Sequence, residues 1–181
     1  MKYNDIIKLL ACIIFCELAG AIGSIFTAPQ IGQWYSTLNK PSFNPPNWIF
    51  GPVWTTIFVL MGISLYLVWK KNFAMHNKIE CQCPCSKISV CKIIFTEPIK
   101  KGYVVSVFMA QLVLNILWSV LFFGMQSPGL ALLDLVILWL MILVNISFFY
   151  RISKISALLL LPYILWVTFA GVLNYFLWML N

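Results

Sequence analysis

The stretch WYSTLNKPSFNPPNWIFGPVWT, which runs from Trp34 to Thr55, decides the fold of this chain. It lies between two long apolar runs and contains Pro41, Pro45, Pro46 and Pro52. Proline lacks a backbone N–H and fixes φ, so this stretch cannot form an α-helix until Pro52 has been passed. Its tryptophans are amphipathic side chains, typical of the boundary between hydrocarbon and water. The stretch therefore predicts a stiff cap over one end of a helix bundle.

Composition places the rest of the chain in a membrane. The chain has 181 residues, of which 62% are hydrophobic and 9% charged, and its mean hydropathy is +0.92. These values exclude an ordinary soluble domain. Apolar runs of about 20 residues, enough to cross a bilayer, occur at Ile6 to Phe26, Ile49 to Trp69, Tyr103 to Phe123, Leu130 to Tyr150 and Ala157 to Met179.

These runs predict an all-α membrane protein: a single domain over 1–181, built as a five-helix bundle with the cap between its first two helices. The first run is longer than the apolar region of a signal peptide, about 7–15 residues, and it contains Glu17, so we interpret it as a span. The turn Ser127-Pro128-Gly129 predicts that the third and fourth helices are antiparallel neighbours.

Basic residues predict the orientation. All 12 Lys and Arg residues except Lys40 fall on one side of the predicted bundle. By the positive-inside rule, the amino terminus is cytoplasmic, and the cap and the carboxyl terminus lie outside. The formal charge of +7 therefore reflects an asymmetry between membrane faces. It does not indicate nucleic-acid binding, because there is no soluble basic domain to bind with.

The segment 72–101 is a predicted cytoplasmic insertion that contains Cys81, Cys83, Cys85 and Cys91. Thiolates bind zinc and copper(I), so these cysteines are candidate metal ligands. Zinc sites normally have two residues between paired cysteines, whereas this CxCxC spacing has one. Stable disulfides are not expected in the cytoplasm. An exposed loop with reduced thiols and a metal or redox site both remain open.

Polar residues within the spans are candidate functional groups, because they are costly in hydrocarbon and should face the bundle interior. Helical spacing aligns three sets: Gln111, Asn115, Trp118 and Phe122; Asp134, Met141 and Asn145; and Pro162, Trp166, Ala170 and Asn174. Amides and carboxyls also hydrogen-bond between helices, at about 0.6 kcal/mol each. We expect this structural bonding for Asn115, Asp134 and Asn174. Glu17 should lie near an interface or pair with one of these groups.

Two tryptophans stand apart from those expected to anchor the protein at the interface. Trp54 follows the proline-rich cap by about one helical turn, and Trp166 follows Pro162 by four residues. Pro162 is expected to bend its helix, and Ala170 leaves space one turn deeper than Trp166. Large aromatic residues beside small ones form a slot for a flat, apolar ligand.

The cap motif WYxxLxKPxFxPPxWxFGPVWT resembles the signature of the translocator protein family, which includes the tryptophan-rich sensory proteins and the peripheral-type benzodiazepine receptor. The resemblance recurs in order at AQLVLNILWSVLFFG (110–124), ALLDL (131–135) and LPYILWVTFAGVLNYFLWMLN (161–181). It covers nearly the whole chain outside the segment 72–101. The resemblance implies a five-helix bundle, often a homodimer, in the membrane lipid.

The resemblance also implies a ligand. Members of this family bind porphyrins such as protoporphyrin, and in animals also cholesterol and drug-like molecules, in a cavity closed by the first loop. By motif position, the ligand-binding residues are Trp34, Tyr35, Phe43, Pro45, Pro46, Trp48, Trp54, Gln111, Asn115, Trp118, Trp166 and Ala170. Trp54 and Trp166 match the tryptophans implicated in light- and oxygen-dependent porphyrin breakdown, and they are the candidate catalytic residues.

The sequence therefore predicts a membrane receptor or sensor-like protein for tetrapyrroles or other flat apolar ligands, with transport as a further role and no required cofactor. Light-dependent porphyrin degradation and a regulatory membrane partner without turnover are the alternatives. The animal sterol motif needs Lys or Arg after its Tyr, and 173–181 contains neither. Sterol binding is therefore not expected there.

Overall fold

A computed structural model describes residues 3–71 and 101–181. The cysteine-rich candidate metal site, with Cys81, Cys83, Cys85 and Cys91, lies outside the described residues. Five helical spans in the described chain are long and apolar enough to cross a membrane, which confirms the predicted five-helix fold. The α-helices are α1 (Tyr3–Gln33), α2 (Phe50–Lys70), α3 (Lys101–Ser119), α4 (Pro128–Ile152), α5 (Lys154–Leu158) and α6 (Leu161–Leu180).

The helices form a closed bundle. α1 packs against α2 and α3, α3 packs against α4, and α4 packs against α6, while the short α5 joins α4 to α2. At one end, Lys70 Nζ lies 3.1 Å from Asp5 Oδ2, and Lys71 Nζ donates to the carbonyl of Ile152 at 2.9 Å. These contacts bring the start of α1 and the ends of α2 and α4 to the same end of the bundle.

The close approach of α1 to α2 depends on Gly62. A Cβ added at this glycine would lie 2.5 Å from Cα of Ile13 and 3.0 Å from the carbonyl oxygen of Cys12. Both atoms belong to the backbone of α1, so they cannot move aside as a side-chain tip could. The absence of a side chain at Gly62 therefore sets the distance between these two helices.

The stretch between α1 and α2 forms the predicted cap at the opposite end. It contains two short 3₁₀ turns, Tyr35–Thr37 and Asn47–Ile49, and α2 begins with Pro52 in its first turn. The backbone N–H of Asn39 donates to Oδ1 of Asn181 at 2.9 Å, and Nδ2 of Asn181 donates back to the Asn39 carbonyl at 3.1 Å. The cap is thus tied to the carboxyl end of α6.

The structure corrects two details of the connections. The fifth span is not one continuous helix from Ala157, because α5 ends at Leu158 and α6 begins at Leu161. Pro162 therefore lies in the first turn of α6 and does not bend a helix interior. The turn before α4 also lies earlier than predicted, with Gln126 at φ 51°, because Pro128 opens α4.

α3 continues as one π-helical turn, Val120–Gly124. The wider turn changes the direction in which successive side chains point, and consecutive Phe122 and Phe123 are both buried. Trp34 of the cap packs edge-on against both rings, at centroid distances of 5.4 and 6.4 Å. The π turn therefore presents the two aromatic rings against which the cap packs.

Candidate functional site

A cavity of about 720 Å³ lies inside the bundle beneath the cap. Its walls come from α1, α2, α3 and α6, and its roof from the cap. The predicted ligand-binding residues that line it are Tyr35, Trp48, Trp54, Asn115, Trp118, Trp166 and Ala170. The structure thus brings predicted residues from four distant parts of the chain around one cavity. The volume of this cavity falls within the range of small-molecule sites, about 300–1,000 Å³.

Trp54 is held by aromatic contacts on the α2 wall. Its ring stacks on Phe58, with centroids 5.7 Å apart and planes inclined by 29°. It also meets Tyr163 of α6 edge-on at 6.4 Å. These contacts fix the indole in place, so it offers a ligand a preorganised apolar surface.

Trp166 lies on the α6 wall. Phe50 meets its ring edge-on at 5.8 Å, and Phe169 packs beside it at 5.4 Å. Its Nε1 is buried and has no hydrogen-bond partner among the described residues. A buried unpaired N–H is costly, so this indole is suited to donate to a group inside the cavity.

Trp118 differs from Trp166 because its indole N–H is used within the chain. Nε1 donates to Oδ1 of Asn174 at 3.3 Å, and Nδ2 of Asn174 donates to the carbonyl of Pro128 at 2.7 Å. This confirms the expected structural bonding of Asn174. The ring stacks on Phe122 at 5.3 Å and contributes a flat face to the cavity.

The other polar residues of α3 and α4 divide between the cavity and the core. Nδ2 of Asn115 donates to the Tyr163 hydroxyl at 3.0 Å, as expected of a structural bond. Gln111 does not line the cavity; its Oε1 accepts from Nδ2 of Asn145 at 2.6 Å. Asp134 departs from the expectation, because both of its buried carboxyl oxygens lack a partner among the described residues.

Among the predicted cap residues, Tyr35 and Trp48 line the cavity, whereas Trp34, Phe43, Pro45 and Pro46 do not. Phe43 packs edge-on against Phe176 of α6 at 5.3 Å. The Tyr35 hydroxyl donates to Oδ1 of Asn44 at 2.7 Å. Burial raises the pKa of the Tyr35 phenol, so the group stays neutral and keeps the proton that it donates. Direct ligand contact by the residues outside the lining stays a prediction.

Sequence reasoning missed the α1 wall. Gly20, Gly23, Ser24 and Thr27 line the cavity, and their spacing of three and four residues places them on one helical face. A Cβ at Gly20 would lie 2.5 Å from the Phe58 ring, so this glycine makes room for the residue on which Trp54 stacks. A run of small residues at helical spacing was the available signal.

In the described part of the chain, no group of three or more His, Cys, Asp or Glu side chains is arranged to hold a metal ion. The described cysteines, Cys12 and Cys16, are buried free thiols on α1. The chemistry that the described site offers is therefore that of aromatic faces, amides, hydroxyls and one carboxyl group.

Five helices able to span a membrane, arranged around a capped, aromatic-walled cavity, define a class: an integral, multi-pass membrane protein with a cavity beneath its cap. The sequence model of the TspO/MBR family matches residues 12–179. The chain belongs to this family.

Named relatives extend over most of the chain. It is 38% identical to "Tryptophan-rich protein TspO" of Archaeoglobus fulgidus, over 98% of this chain and 99% of that protein. It is 40% identical to the protein of the same name from Chlorobaculum tepidum, over 98% of each. It is 34% identical to human "Translocator protein", over 87% of this chain and 80% of that one. The similarity confirms the family resemblance carried by the cap motif.

Proposed function

We propose that this protein is a membrane receptor or sensor for tetrapyrroles, which it binds in the cavity beneath the cap. The observation that carries the proposal is the meeting of Trp54, Trp118 and Trp166 in one space of about 720 Å³. The names of relatives, translocator protein and tryptophan-rich sensory protein, indicate transport or sensing and specify no ligand. Porphyrin binding rests on the family resemblance and on the shape and chemistry of this cavity.

The physical basis is stacking on aromatic faces that are already in place. Trp54 is fixed by Phe58, and Trp118 is fixed by both Phe122 and Asn174. The conformational entropy lost when a ligand stacks on these side chains is therefore small. A large, flat and apolar ring system such as a porphyrin suits such walls better than a flexible chain does.

The proposal is tested with purified protein in an uncharged detergent, titrated with protoporphyrin in the dark. Tryptophan fluorescence and porphyrin absorbance should both change and saturate at the same ligand concentration. Matched micelles without protein provide the baseline for partitioning. A linear response equal to that baseline would reject the proposal and favour a regulatory membrane partner without a ligand.

Light-dependent porphyrin degradation is the second candidate, because both candidate catalytic tryptophans, Trp54 and Trp166, line the same cavity. Indole is electron-rich enough to take part in a photo-oxidation in which oxygen is the oxidant. The same titrated sample is illuminated with and without oxygen. Loss of porphyrin absorbance that needs protein, light and oxygen together supports degradation, whereas stable absorbance supports binding alone.

The proposed orientation places the amino terminus in the cytoplasm. In the described residues, Lys70, Lys71 and Arg151 lie at helix ends on one side of the bundle, and Lys40 lies in the cap on the other. We expect Cys81 and Cys91 to react with a membrane-impermeant maleimide only after the cell membrane is opened. Labelling of these cysteines in intact cells would contradict the proposed orientation and indicate the opposite one.

We also propose a homodimer, as the family resemblance implies. Small residues such as Gly20 and Gly23 let helices approach closely, which favours a dimer, but Gly20 faces Phe58 and a Cβ at Gly23 would lie 3.0 Å from Ser119 Oγ. Both glycines thus have a role within one chain. Cross-linking in native membranes should still give a dimer at low expression, and monomer alone at every expression level would contradict this.

A further inference from the structure

Glu17 is an acidic residue in the wall of the cavity. It lies near the middle of α1, between Tyr3 and Gln33, and so deep in the predicted hydrocarbon layer. Its Oε1 is buried and has no hydrogen-bond partner among the described residues. An ionisable side chain at this depth is costly and is a candidate functional group by default. Of the two expected roles of Glu17, pairing with a polar group of another helix is therefore not seen among the described residues.

The described chain brings no cation to this carboxyl group. The basic residues whose side chains are described are Lys8, Lys40, Lys70, Lys71, Arg151 and Lys154. They lie near helix ends or in the cap, and Lys70 is paired with Asp5. Lys8 is nine residues from Glu17 along the same helix, a rise of about 13 Å. Among the described residues no cation can pair with Glu17, whereas the cavity that it lines lies directly beside it.

The surroundings of Glu17 are otherwise apolar or small. Ile14 and Leu18 line the cavity next to it and are also 58% and 55% exposed at the surface of the bundle. The cavity thus reaches the outer surface of α1 at the depth of Glu17. An acceptor in such surroundings makes stronger hydrogen bonds than it would in water.

We propose that Glu17 is a specificity-determining residue that accepts a hydrogen bond from a donor group on the ligand, and a cationic nitrogen most favourably. Hydrogen bonds to a charged partner are about twice as strong as those between neutral groups. Among flat apolar ring systems, Glu17 would favour those that place an amine or another N–H donor beside it and disfavour those that place a carboxylate there. This inference rests on the proposed function, because it assumes that the cavity is a ligand site.

The test uses three flat probes that share one ring system: 1-pyrenemethylamine, 1-pyrenemethanol and 1-pyrenecarboxylate. Each is titrated into wild type and Glu17→Gln in an uncharged detergent, and energy transfer from tryptophan to pyrene is measured. Glutamine keeps the size and polarity of the side chain and removes the negative charge. Comparing the variants with the same probe cancels differences in partitioning between the probes.

We expect Glu17→Gln to weaken binding of the amine about tenfold, to strengthen binding of the carboxylate, and to change binding of the neutral alcohol by less than about threefold. Equal effects on all three probes, or no effect on any, would overturn the role of Glu17 while leaving the cavity as a ligand site. A change in the cross-linked dimer fraction without a change in probe preference would assign Glu17 to contact with a second copy and also overturn it. Failure of every probe to bind wild type that still binds protoporphyrin would overturn this inference alone, whereas failure of the probes and of protoporphyrin together would reject the proposed function itself.

Discussion

Gly62→Ala is expected to lower the free energy of unfolding by about 3 kcal/mol, the upper part of the range for overpacking a tight contact. The added methyl group would lie 2.5 Å from Cα of Ile13, so α1 and α2 must move apart along their whole contact. The separation would also disturb the cavity, to which both helices contribute walls. No side-chain rearrangement can relieve a clash with backbone.

Gly171→Ala is the matched control, since a Cβ there has no atom within 4 Å. In a helix interior this change should stabilise by up to about 1 kcal/mol. Thermal exposure of the buried thiols of Cys12 and Cys16 to a thiol-reactive dye reports unfolding. The measurement is made in a background in which Cys81, Cys83, Cys85 and Cys91 are replaced by serine. Equal melting temperatures of Gly62→Ala and Gly171→Ala would refute the claim that Gly62 lies in tight contact with the backbone of α1.

Replacing Trp54 or Trp166 by Ala is expected to weaken protoporphyrin binding by roughly 1–3 kcal/mol each, the scale of a planar base stacked on an aromatic side chain. Trp166→Phe keeps most of the stacking area but removes the pyrrole ring with its N–H, so the loss of binding in the dark should be smaller than for Trp166→Ala. If indole chemistry drives degradation, Trp166→Phe should nevertheless slow the light-dependent loss of porphyrin.

Trp178→Ala is the control for these variants, because Trp178 is half exposed and does not line the cavity. Its removal should leave binding nearly unchanged. Dark titrations followed by porphyrin absorbance measure all four variants without relying on the tryptophans that are removed. Binding of folded Trp54→Ala and Trp166→Ala at wild-type strength would show that both tryptophans serve packing alone.

The spans and the cap could be predicted from the sequence, because bilayer thickness fixes the length of an apolar run, and Pro41, Pro45 and Pro46 keep the cap from forming an α-helix. Trp54, Trp118 and Trp166 were assigned to one cavity on helical spacing and family motif, and the structure brings them together. Helical spacing predicts which residues share a face of one helix, and the family motif predicts which helices contribute to the same cavity.

What could not be predicted depends on contacts between elements. The π turn that buries Phe122 and Phe123 departs from the 3.6-residue period on which the face of α3 was assigned. Gly20 and Gly23 resemble a dimer motif until Phe58 and Ser119 are found against them. Similarly, the sequence shows that Glu17 is costly in a membrane, but only the packed bundle shows that its buried Oε1 has no partner in the part of the chain that the structure describes.

The central claim is that ligand occupies the space beside Ala170, under the cap. Ala170→Phe would extend a ring into that space, whereas Leu165→Phe on the same helix adds a ring to a side chain that is 70% exposed and lies outside the cavity lining. The decisive measurement is a dark protoporphyrin titration of both variants, each checked for wild-type thermal stability. We predict that Ala170→Phe loses saturable binding and Leu165→Phe retains it; saturable binding of wild-type strength in Ala170→Phe would contradict the account.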